Sequence, residues 1–245
     1  MEKSFLEKRK ADIQYNLDVI NEKIAESAIK SGRNPADIQL MAVTKTVDPI
    51  FINYALDYGV NMIGENRVQE MLRKKPDLHL QNVQKHLIGH LQTNKIKYIA
   101  PFVTLIHAID SLSLLEAVNK EAAKNNRVID CLLQFHIAQE ETKFGLNIDE
   151  AEALLQSQDY KKLNNINICG VMGMATFTDD TAQIRNEFKT LKNIFELLKG
   201  KYFSDNDSFK EISMGMSDDY PIAIEEGATM VRVGSKIFGA RNYNI

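Results

Sequence analysis

From residue 38 onward, short apolar runs alternate with segments of helical apolar spacing, and the pair repeats eight times. The runs are IQLMAVT (38–44), NMIGE (61–65), KHLIGH (85–90), TLIHAID (104–110), VIDCLLQFHI (128–137), NICGVMGM (167–174), EISM (211–214) and ATMVRVG (228–234). Most are apolar nearly throughout, which suits parallel strands covered on both faces. Helix signals follow them. Asp48 and Pro49 open one helix and Gly59 stops it, while Ser111, Asn147 and Ser217 stand as N-caps of others. Eight such units in one domain-sized chain predict an α/β fold, a single (β/α)8 TIM barrel spanning 1–245. A doubly wound open sheet is the alternative.

Residues 2–31 precede the first unit and read as an extra N-terminal helix. Its apolar positions, Ile13, Leu17, Ile20, Ile24 and Ala28, recur every three or four residues, and Gly32 and Pro35 follow its end. That stripe is expected to pack on the barrel. Its use to pair with a protein partner is the other reading.

Charge and composition narrow the function. Thirty basic against 33 acidic residues give a net charge of −3, and the basic residues are scattered, so no nucleic-acid partner is expected. No apolar stretch approaches the roughly 18 residues of a membrane span. The N-terminus has no apolar h-region. Cys131 and Cys169 sit far apart inside apolar runs, as buried thiols of a reducing compartment do. A cytoplasmic protein is expected.

In such a barrel the working face lies at the C-terminal ends of the strands. The first strand leads to Lys45, the second to Glu65, Asn66 and Arg67, and the third to His90. The fifth ends near His136 and the sixth near Met172 and Met174. The last two lead into GMS (215–217) and VGS (233–235). Both of those turns open helices, whose free N–H groups suit an oxyanion. Asp218 and Asp219 compete for the same dipole, and two ordinary capped turns are the plainer reading. Lys45, in a partly desolvated mouth, would lose proton affinity and become nucleophilic. An amine and an anion site facing one hollow suggest a phosphorylated aldehyde held as a Schiff base, with pyridoxal 5'-phosphate the natural candidate. Arg232 lies two residues before Gly234, on the same strand face. A guanidinium there would meet the pyridine nitrogen only as a donor. An ion pair with Glu65 or an aspartate at the rim is its alternative role.

Four stretches carry a resemblance: AVTKT (42–46), IGENRVQE (63–70), HLIGHLQTNK (86–95) and SMGMSDDYPIAIEEGATMVRVGSKIFGAR (213–241). Together they resemble the pyridoxal phosphate homeostasis proteins, with the fold of the alanine racemase N-terminal barrel. The resemblance implies that Lys45 is the cofactor lysine and Asn66 lies beside the cofactor. It further implies that Ser217, Gly234 and Ser235 cradle the phosphate and that Arg232 faces the pyridine nitrogen. It also implies buffering or delivery of the cofactor, with pyridoxal-dependent apo-enzymes as partners and no established turnover. His90 stands where some relatives have proline, and GVMGMATF (170–177) lacks a proline many carry. The pocket lining near His90, Met172 and Met174 is therefore open.

Rival readings follow from the same residues. A racemase-like enzyme needs a second base opposite Lys45, and Tyr54, Tyr58 or His90 are the candidates. Tyr243 lies almost at the terminus. Without a second, β-rich domain after the eighth unit, a monomer is expected. A metal-dependent hydrolase would use the five histidines, but no His-x-His pair ends the first strand. A Schiff-base aldolase would place its lysine late in the barrel.

Overall fold

A computed structural model describes residues 3–139 and 144–239. Its eight strands close into a barrel in sequence order. They are β1 (Gln39–Val43), β2 (Met62–Glu65), β3 (Gln84–Leu87), β4 (Leu105–Ile109), β5 (Ile129–Gln134), β6 (Ile166–Met172), β7 (Glu211–Ser213) and β8 (Met230–Val233). Every neighbouring pair is parallel, and β1 closes the ring on β8 through Gln39↔Met230 to Ala42↔Val233. The open-sheet alternative is excluded.

The helices are α1 (Lys3–Lys30), α2 (Pro49–Asp57), α3 (Val68–Lys74), α4 (Ile96–Ile99), α5 (Leu112–Lys124), α6 (Ile148–Gln156), α7 (Thr181–Tyr202), α8 (Tyr220–Glu225) and α9 (Ser235–Phe238). Three expected caps are made. Asp48 accepts from Ile50 N, Ser111 accepts from Leu114 N, and Asn147 forms a full capping box with Glu150. The fourth is not. Helix α8 begins at Tyr220, with Asp219 in the cap position, and Ser217 is engaged elsewhere.

Several strands end before their apolar runs do: β3 stops at Leu87 and β5 at Gln134. Phe135 and Ile137 lie past the strand end yet stay buried, and the Phe135 N–H still donates to Met172 O at 2.8 Å. Apolarity reports burial, and here burial continues past the strand.

Two cores result. The larger lies between the sheet and its helices. The smaller fills the barrel and is rich in methionine: Met41, Met62, Met172 and Met230 pack there with Leu105, Ala108, Leu132 and Cys169. Both cysteines are buried free thiols. Burial pushes the proton affinity of both Cys131 and Cys169 well up, so neither is a ready thiolate.

Helix α1 buries the five apolar positions its spacing marks. Each buried isoleucine or leucine among them contributes roughly 1.5–3 kcal/mol. The stripe rests on α2, α8 and α9. Polar bonds fix its register: Arg9 donates to Phe238 O at 2.6 Å and Asn16 to Ile237 O at 3.0 Å. Beyond its end, Arg33 donates to Ile224 O at 3.0 Å and Ala228 O at 2.7 Å. No helix among the described residues is long and apolar enough to cross a membrane.

Candidate functional site at the C-terminal mouth

Lys45 stands two residues past β1, half-buried, in a turn. Its side of the chain follows from Thr44. The Thr44 hydroxyl donates to Glu65 Oε1 at 2.8 Å and its carbonyl accepts from Lys74 at 2.6 Å, both on the helix-facing side of the sheet. Lys45 therefore leaves the strand on the opposite side, that of Met41 and Val43. Glu65, expected at the mouth, is on the outside, so it is no partner for Arg232.

The loops after β7 and β8 meet beside this strand end. The Gly234 N–H donates to Ser217 Oγ at 3.2 Å, tying the two loops together. A Cβ on Gly234 would lie 3.1 Å from Val43 O and 3.2 Å from Val43 Cβ. Glycine is what lets the β8 loop lie against the end of β1, two residues before Lys45. Beyond it, the first N–H groups of α9, from Ser235 and Lys236, have no intrahelical partner. Gly215 does a different job. Its φ is +89°, and a Cβ would press on Tyr220 and Ala223, so this glycine seats α8 and does not open space for an anion.

The competing aspartates are also resolved. Asp218 is exposed. Asp219 is buried and turns its carboxylate back onto Met216 N. Desolvation raises its proton affinity, opposed by that bond and by Arg232.

Arg232 lies inside the barrel, 4% exposed. Nη1 donates to the Ser213 carbonyl and hydroxyl, both at 2.8 Å, and Nη2 donates to Gly173 O at 3.1 Å. Burial lowers its proton affinity to about 10, so it stays a cation and a donor at neutral pH.

Behind Ser213 runs a chain that sequence reasoning did not find. Ser213 Oγ is 3.0 Å from His107 Nδ1, His107 Nε2 is 3.0 Å from His86 Nδ1, and His86 Nε2 is 3.1 Å from Gln84 Oε1. A carbonyl oxygen at Gln84 accepts, so His86 carries its proton on Nε2 and accepts at Nδ1. His107 then carries its proton on Nε2 as well, and Ser213 donates to His107 while accepting from Arg232. Each imidazole needs one donor and one acceptor, which is the neutral form. Burial agrees: it pushes His86 down to about 3 and His107 well below its usual value. The chain starts at a polar cavity of about 210 Å³ in the N-terminal mouth, lined by Gln84, His86, Asp130 and Glu211, and ends on Arg232. The one clue in the sequence was a histidine in each of two neighbouring strands, His86 in β3 and His107 in the otherwise apolar β4.

The remaining expected residues spread around the rim. Asn66 follows β2, half-buried, and a Cβ on Gly89 would run into its carbonyl oxygen, so the β2 and β3 loops abut. His90 lies three residues past β3 with its side chain 52% exposed, 3.7 Å from Asp110 and stacked on Phe144 at 5.0 Å between ring centroids. Met172 is buried in the barrel core, with Met174 packed against that core from a partly buried position. Tyr54 packs on Phe51 and under Lys10 of α1, and Tyr58 bonds Asp18 of α1, so both face away from the mouth. Tyr243 lies outside the described residues. Among the described residues no group of three or more metal-binding side chains exists.

The family model described as "Alanine racemase, N-terminal domain" matches residues 12–242, which sets the class of this barrel. The chain is 37% identical over 228 residues to a pyridoxal phosphate homeostasis protein of Aquifex aeolicus, covering 93% of this chain and 97% of that one. It belongs to the pyridoxal phosphate homeostasis protein family. Among solved structures, an unknown protein from Bifidobacterium adolescentis superposes with a TM-score of 0.87 at 32% identity, covering 97% of each chain. PipY of Synechococcus elongatus PCC7942, with PLP bound, superposes with a TM-score of 0.76 at 32% identity, covering 88% of this chain and 100% of that one.

Proposed function

We propose that this chain holds pyridoxal 5'-phosphate as a Schiff base on Lys45 and serves in intracellular homeostasis of that cofactor, including its delivery to apo-enzymes. The carrying observation is the packing of Gly234 against Val43. It brings the loops of β7 and β8, joined through Ser217, next to the strand end that bears Lys45. A phosphorylated aldehyde matches those two functions. The homeostasis relatives and the PLP-bound PipY support the reading.

The cofactor supplies an aldehyde carbon that a neutral amine can attack, and this chain supplies the rest. Lys45 would be the amine that holds it. Ser217, Gly234 and Ser235 are the phosphate-side residues. Arg232, fixed from below by Ser213 and Gly173, offers a donor to the pyridine nitrogen and no acceptor. Such a ring is a weak electron sink, which fits a carrier better than a carbanion catalyst. Among the described residues, Tyr54 and Tyr58 face α1 and His90 is half-exposed at the rim, so none of these three stands as the second base of the racemase-like alternative. A monomer in the cytoplasm is part of this reading.

The test is to add pyridoxal phosphate to purified protein, record the absorbance spectrum, reduce with borohydride and map the modified peptide. A yellow protein with the added mass on Lys45 is expected, and Lys45→Ala should carry none. A protein that is colourless once free pyridoxal phosphate is removed, or mass on another lysine alone, overturns the proposal.

A further inference from the structure

The turn bearing Lys45 is gripped on both flanks by one buried charge cluster. Lys74, in the last turn of α3, is 2% exposed. Its ammonium donates to Thr44 O at 2.6 Å and to Glu65 Oε1 at 2.8 Å, and it lies 2.7 Å from Glu70 Oε1. An ammonium has three protons, and these three acceptors take them all. Lys74 is therefore committed to the cluster and is no second nucleophile.

Each carboxylate then holds a neighbour of Lys45. Glu65 Oε1 accepts from the Thr44 hydroxyl at 2.8 Å, and Glu70 Oε1 accepts from the Thr46 N–H at 2.6 Å. Thr46 has φ +64°, a left-handed conformation that β-branched residues avoid. Strain of this kind persists only where the surroundings over-determine it, and it gathers at functional sites. The cluster supplies that determination: one contact before Lys45, one after it, and the cation joining them. A plain structural ion pair would need none of the three bonds to the turn.

We propose that Lys74, with Glu65 and Glu70, is the positioning group for Lys45: it locks the backbone of residues 44–46 so that the Lys45 amine is aimed into the mouth before any ligand arrives. This rests on the reading of Lys45 as the Schiff-base lysine. Its action is on the turn, not on the phosphate-side loops, and that separation makes it testable.

Lys74→Met removes the cation, and because Glu65 would then be buried alone, Glu70→Ala and Glu70→Gln are measured beside it. Glu70→Gln keeps an acceptor for Thr46 N–H, and Glu70→Ala does not. Two readouts apply. The first is amide hydrogen exchange of ligand-free protein, resolved over residues 44–47 and over 215–217 and 233–236. The second is the rate at which borohydride traps pyridoxal phosphate on Lys45. Glu70→Ala and Lys74→Met should speed exchange at 44–47 about tenfold with the other loops unchanged. They should also slow trapping about tenfold or more. Glu70→Gln should lie between them and the wild type. Unchanged exchange at 44–47, or equal exchange increases at all three loops, overturns the proposal. So does Glu70→Gln matching Glu70→Ala in both readouts. If the wild type traps nothing on Lys45, the parent reading fails, while the exchange arm still decides whether the cluster locks the turn.

Discussion

Arg232 Nη1 donates to two oxygens of Ser213 at once, the backbone carbonyl and the side-chain hydroxyl, each at 2.8 Å. The hydroxyl has one proton, and with Arg232 as its donor that proton goes to His107. The direction of one hydrogen bond in the middle of the barrel thus fixes the tautomers of two histidines behind it.

Ser213→Ala breaks this chain in both directions. Arg232 keeps Ser213 O and Gly173 O, but His107 Nδ1 is left without a donor in a dry interior. A loss of about 1–3 kcal/mol is expected, read from urea unfolding. A variant as stable as the wild type would show that the hydroxyl link is not made in solution.

The two histidines set an acid limit. Between its usual value of 6.5 and its folded value of about 3, His86 takes up a proton in the unfolded chain but not in the folded one. Stability must therefore fall as pH drops through that window. Each such group contributes a slope of about 1.4 kcal/mol per pH unit. His86→Gln retains a donor and an acceptor and does not titrate. Its stability between about pH 4 and 6 should fall less steeply by about that amount. The check is denaturant unfolding at several pH values, and parallel slopes for the two proteins would refute the assignment.

Gly234→Ala tests the junction of β8 with β1. The new methyl meets Val43 and pushes the β8 loop off the strand that leads to Lys45. In a Lys45→Ala background, which leaves only non-covalent anchoring, pyridoxal phosphate should bind about tenfold more weakly after Gly234→Ala, a change of about 1.4 kcal/mol. Calorimetric titration measures this. Equal affinity with and without Gly234→Ala would place the anion elsewhere.

Arg33→Met probes how the start of the chain is fastened. It leaves Ile224 O and Ala228 O without their charged donor. A loss of about 1–3 kcal/mol is expected, seen as a lower thermal midpoint, with Schiff-base formation on Lys45 unaffected. A midpoint matching the wild type would make the two bonds incidental.

Much of the fold is legible in the sequence. The eight apolar runs are long-range information written locally: a parallel strand covered on both faces must be apolar throughout, so its sequence announces its surroundings. The α1 stripe and the caps at Asp48, Ser111 and Asn147 are local too. Ser217 was misread because its residue type suits a cap, while its actual donor lies 17 residues away and is set by how β7 and β8 pair. Lys74 was invisible for a similar reason. A basic residue in a last helical turn ordinarily serves the dipole in water; its pairing with Glu70 at i,i+4 is local, but nothing nearby in sequence says that Thr44 and Glu65 close around it. Likewise Glu65 follows Gly64 at the end of a strand, and only the register decides which of the two faces inward.

The pairing of β1 with β8 has a consequence for how the protein is made. Lys45 leaves the ribosome early, yet the glycine that packs beside it is encoded almost 190 residues later. Until translation has delivered β8 there is no ring, no α9 for α1 to rest on and no junction of Gly234 with Ser217. Under the function proposed above, a nascent chain would carry Lys45 without the loops that retain a cofactor, and loading would belong to the finished molecule.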